Sequence, residues 1–173
     1  MWYLLASFIL TNLLHGWLVL SQRGKNPASI SYHSVKNRTT LLVYICGHLL
    51  SGALLWLLVN DLFGNEAQSH IILGVTSVAV LSEWLQALLP ARGKTDKTHT
   101  VFATVMASSM ALLVVLCTLF FAPNRCILAI NLMLSAIVVS FFFFIRFPPK
   151  PGTWKLQFAG QIILYLQVFL LVY

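Results

Sequence analysis

Glu83 and Gln86 stand three residues apart in an otherwise apolar run, and the turn after them packs Arg92, Lys94, Asp96, Lys97 and His99 into eight positions. A carboxylate and a carboxamide at that spacing share one face of a helix. An ionisable side chain at the centre of a membrane helix costs about 2.5–3.5 kcal/mol on insertion scales, so Glu83 requires a partner or a role. Other polar groups recur at helical spacing. His48 has Tyr44 four residues before it and Ser51 three after, His15 follows Thr11 and Asn12, Thr76 precedes Glu83 by two turns, and Gln157, Gln161 and Tyr165 are spaced by four.

These types support two chemistries. In one, Glu83, Gln86, His48 and His15 line a polar cavity that handles a proton, an ion or a lipid headgroup, and Arg92, Asp96 and His99 form its mouth. In the other, the same side chains only hydrogen-bond helix to helix, at about 0.6 kcal/mol apiece. The carboxylate favours the first reading for Glu83, being costlier to hold in a bilayer than an amide. Signals for catalysis are weak: the chain has no H-E-x-x-H, no P-loop, no G-x-S-x-G and no glycine-rich nucleotide loop. Ser29 precedes His33 by four residues, but no His and Asp cluster follows to complete a metal site. Cys46, Cys117 and Cys126 lack metal-type spacing, so neither a disulfide framework nor a metal or cofactor is expected.

The elements that must position these residues follow from composition. Of the 173 residues, 59% are hydrophobic and 9% charged, where a soluble domain carries about 25% charged residues. That balance describes an integral membrane protein, an all-α helix bundle forming one domain. A helix needs roughly 20 apolar residues to cross the hydrocarbon core. Six such runs are read, near residues 2–20, 40–59, 70–89, 101–122, 126–145 and 154–173. A barrel would instead show short alternating segments.

Basic residues flanking spans are retained in the cytoplasm. Ten of the eleven Lys and Arg fall at the first, third and fifth connections, and Arg125 alone at the fourth, while Asp61 and Glu66 lie at the second. The first, third and fifth connections are therefore expected in the cytoplasm and both termini outside. The first run has no basic residue before it and no small-residue cleavage pattern after it, so it is expected to remain as a helix. The net charge of +7 is accounted for by loop retention and anionic headgroups, and nucleic acid is not an expected partner. On this map His15, His48, Glu83, Thr104, Ser108, Gln157 and Gln161 all fall in the cytoplasmic halves of their spans. Phe141 to Phe144 point all round a helix and read as lipid-facing or packing residues. Pro148, Pro149 and Pro151 make a stiff elbow before the last run.

Two family resemblances attach to these motifs. Ser29-Ile30-Ser31-x-His33, Pro90 and Thr98-His99-Thr100-x-Phe102-Ala103 resemble the six-helix prokaryotic membrane proteins of the domain-of-unknown-function 998 family, distantly the Frag1/DRAM/Sfk1 group. That resemblance implies the six-span plan and no established reaction. Glu83-x-x-Gln86 with Pro90-x-Arg92 is similar over about ten residues to VanZ-like proteins, with Thr98 and its neighbours where that family has Asp and Asn. It implies the cell envelope and lipid-like molecules. The expected function is a protein of a prokaryotic plasma membrane, non-catalytic or not evidently catalytic, binding a lipid or small amphiphile in a cytoplasm-facing cavity, with an enzyme the last of the alternatives. The alternatives are an ion- or proton-coupled carrier and a structural subunit of a membrane complex, the latter suggested by the small residues Gly47, Ser51 and Gly52.

Overall fold

In the computed structural model the described residues are 2–21, 38–89, 97–144 and 153–172. They form six α-helices and, among them, no strand: α1 (Trp2–Ser21), α2 (Arg38–Phe63), α3 (Ser69–Leu88), α4 (Lys97–Phe121), α5 (Arg125–Phe144) and α6 (Thr153–Val172). Among the described residues α2, α3 and α4 are each long and apolar enough to cross a membrane, while α1, α5 and α6 contribute shorter apolar stretches. Their surfaces carry Leu50, Leu57, Leu81, Leu112, Ile137 and other large apolar side chains outward. In water that would be a liability, and against lipid it is the expected covering.

The helices run alternately up and down. α1 and α2 are antiparallel neighbours, α3 packs on both α2 and α4, and the α5–α6 pair reaches the rest chiefly through α4. One end of the bundle gathers the start of α2, the end of α3 and the start of α4, and it adjoins the basic stretches of the sequence. The opposite end is closed by Phe63 stacked on Phe121, with ring centroids 4.4 Å apart. We call these the basic end and the aromatic end.

Local chemistry sets several boundaries. α2 runs four residues past the apolar stretch, through Asn60 and Asp61, and stops at Gly64, whose N–H donates to the Asn60 carbonyl at 2.9 Å. A side chain at Gly64 would collide with that same carbonyl, which selects glycine there. α5 starts behind Asn124, whose Oδ1 accepts from the Ile127 N–H at 2.9 Å. α3 ends with the Leu89 N–H on the Leu85 carbonyl, directly before Pro90.

Leu5 and Phe8 of α1, Leu55, Leu58 and Phe63 of α2, Ile72 and Val80 of α3, and Leu113 and Cys117 of α4 make one apolar core toward the aromatic end. Beside it lies a crevice of about 30 Å³ between α1, α2, α4 and α6, lined by residues such as Phe8, Leu58, Leu113, Cys117 and Val168. No lining side chain offers a strong hydrogen bond, so water has no partners there.

Candidate functional site

α2 carries a polar ladder along one face. Tyr44, His48 and Ser51 are all buried, and each meets a different residue of a neighbouring helix. The Gln86 Nε2 donates to the Tyr44 hydroxyl at 3.3 Å. His48 Nδ1 and Glu83 Oε1 are 2.9 Å apart. Asn12 Nδ2 of α1 donates to Ser51 Oγ at 2.8 Å. The ladder descends from mid-bundle toward the basic end because α2 and α3 are antiparallel: the pair moves down α2 from His48 to Tyr44 as it moves up in number on α3 from Glu83 to Gln86.

The pairing of His48 with Glu83 answers the cost of the carboxylate. Glu83 is 8% exposed and His48 8%. The imidazole gives the carboxyl group a hydrogen-bond partner inside the apolar bundle, so neither polar group is buried alone. The Tyr44 ring sets the imidazole from its edge, with centroids 4.5 Å apart and planes at 72°.

The close approach of α2 and α3 has its own cause. Trp84 Nε1 donates to the Leu49 carbonyl at 3.2 Å. A Cβ at Gly52 would lie 2.5 Å from that same Nε1. Gly52 thus makes room for the indole that fixes how α3 lies against α2, and with it the His48–Glu83 register.

His99, in the first turn of α4, closes the basic end. Its Nδ1 is 3.1 Å from the Leu89 carbonyl and 3.3 Å from that of Gln86. Carbonyl oxygens only accept, so Nδ1 carries a proton and donates to them. The ring satisfies two carbonyls that the end of α3 leaves without helical partners.

Of the residues singled out from the sequence, Glu83, Gln86, His48 and His99 thus come together. His15 lies on α1, but its side chain is outside what is described, as are those of Gln157, Gln161 and Tyr165. Arg92 and Asp96 are outside the described residues altogether. Thr104 and Ser108 are exposed on α4, and Thr104 returns its hydroxyl to the Thr100 carbonyl at 2.8 Å. They do not join the cluster. Thr76 is fully buried but donates to the Ile72 carbonyl of its own helix at 2.7 Å. Ser51 and Gly52, read as a surface for another subunit, are buried against α1 and α3 of the same chain. Among the described residues no three of His, Cys, Asp and Glu gather as a metal site would need.

A second polar contact was not read from the sequence. Gln167 of α6 donates through Nε2 to the Asn131 carbonyl and to Ser135 Oγ, both at 2.8 Å, and Asn131 Nδ2 reaches back to the Gln167 carbonyl at 3.4 Å. Asn131 and Gln167 are fully buried. The signal available was the Asn131 and Ser135 pair at i, i+4, one face of α5.

No family model, curated protein or solved structure matches the chain.

Proposed function

We propose that this is a six-span membrane protein that binds a lipid or small amphiphile, with the polar group held at the basic end by Glu83, Gln86, His48 and Tyr44. The first, third and fifth connections face the cytoplasm, Arg92 and Asp96 stand at the mouth with His99, and the membrane is a prokaryotic plasma membrane. The observation that carries the reading is the His48–Glu83 bond, buried between α2 and α3 in an otherwise apolar bundle. Its surroundings favour an amphiphile over a proton carrier. Among the described residues the ladder ends at Asn12 and Ser51, and the crevice toward the aromatic end is lined by apolar side chains and the Cys117 thiol. A proton needs a continuous polar route to the other side, whereas an amphiphile needs only its head at the ladder, with its tail against the exposed apolar side chains of the bundle surface. The short VanZ-like spacing around Glu83 and Gln86 points the same way.

The test is retention of co-purifying lipid by native mass spectrometry. Glu83→Gln and Glu83→Leu should each lower bound lipid per protein by about 10- to 100-fold, the range expected for losing a hydrogen bond to a charged group. Equal retention in parent and both variants, with Glu83→Leu the more heat-stable, would make the carboxylate a packing contact only.

A further inference from the structure

Gln86 is 7% exposed, and its carboxamide is satisfied on one side alone. The Nε2 donates to Tyr44, while no donor reaches the buried Oε1. An unpaired buried acceptor costs free energy comparable to a lost hydrogen bond, so it marks a place for a donor. Three residues earlier on the same face stands Glu83, whose Oε1 is engaged by His48. A carboxyl group on the same face offers oxygen acceptors to a donor and, when ionised, none of the hydrogen-bond donors a phosphate would need, so the face suits a cationic head better than an anionic one. The site therefore calls for an N–H donor carrying positive charge or none, and for a head small enough to reach a side chain at the last turn of α3.

We propose that the polar group bound at Gln86 is a primary ammonium, so that the ligand class is an amine-headed amphiphile such as phosphatidylethanolamine, with one N–H on Gln86 Oε1 beside Glu83. This rests on the amphiphile-binding reading and specifies its headgroup. A trimethylated head has the same charge but no N–H, and a glycerol head has O–H donors but leaves the lipid anionic, so the three heads separate donor, charge and size.

The experiment exposes the purified full chain to an equimolar mixture of phosphatidylethanolamine, phosphatidylcholine and phosphatidylglycerol with identical acyl chains, then counts each lipid retained per protein. The expected result is phosphatidylethanolamine enriched about fivefold over phosphatidylcholine, the factor one hydrogen bond supplies. In Gln86→Met, which keeps length and burial without the acceptor, the ratio should fall to about one while total lipid persists. Gln86→Glu, which keeps an acceptor, should preserve the preference and guards against a folding defect in the methionine variant. Equal retention of the three lipids, or a preference for phosphatidylglycerol, would overturn the headgroup assignment and leave amphiphile binding standing. Retention of none by the parent chain would overturn both.

Discussion

Gly52 and Gly74 make opposite demands on a methyl group. At Gly52 the added Cβ would press on Trp84 Nε1 at 2.5 Å and on Val80 at 3.1 Å, whereas at Gly74 it would meet nothing within 4 Å. The indole is held by its bond to Leu49 and cannot simply swing away. Gly52→Val should therefore lower stability by about 1–3 kcal/mol, as overpacking does, and should loosen the His48–Glu83 contact with it. Gly74→Ala should leave stability unchanged or raise it by up to about 1 kcal/mol, the helix-propensity difference. Thermal unfolding of both variants in one detergent tests the contrast, and an equal loss in the two would remove the special role given to Gly52. Single residues were legible where their cost was high. Glu83 called for a partner on energetic grounds and His48 was a natural one, yet nothing in the sequence alone says that Glu83 meets His48 rather than His15. That choice depends on the Trp84–Gly52 contact, which joins positions thirty-two apart in the chain. Asn131 and Gln167 escaped notice because a lone amide costs less than a carboxylate and so gives a weaker signal.

At the scale of helices, the six helical runs were readable to within a few residues, because each is a long apolar stretch interrupted by polar, proline or glycine residues. What they lacked was ends. α2 continues through Asn60 and Asp61 until Gly64, and α4 begins at Lys97, four residues ahead of its apolar stretch, since a helix continues into the polar interface wherever its backbone bonds are met. The α5–α6 pair shows what polar contacts add once helices are inserted. Its amide clasp fixes register, because each side chain reads the other helix's main chain. Asn131→Leu and Gln167→Leu should each destabilise the bundle, with a coupling between them of about 0.6 kcal/mol and no more than about 1.7, the measured span for such bonds in membranes. A double-mutant cycle on unfolding in detergent reads it, and a coupling of zero would mean that the clasp holds nothing.

For the molecule as a whole, the orientation proposed rests on the distribution of basic residues in the sequence, ten of the eleven falling at the first, third and fifth connections. In a chain freed of its three cysteines, a cysteine at Asn65 should react with an impermeant thiol reagent added outside, and one at Lys94 should not. The opposite labelling would invert the map. The sequon Asn37-Arg38-Thr39 gives an independent reading in a eukaryotic host, where glycosylation would place the first connection in the lumen. The bonds between α2, α3 and α4 lie toward the basic end, while the large apolar core lies toward the aromatic end. Chain order adds a temporal side to this division. The bonds Tyr44–Gln86, His48–Glu83 and His99–Leu89 all join residues before position 100. These hydrogen bonds can therefore form during translation, while the last two helices are still being made, so a defect confined to the α5–α6 hairpin would leave them in place.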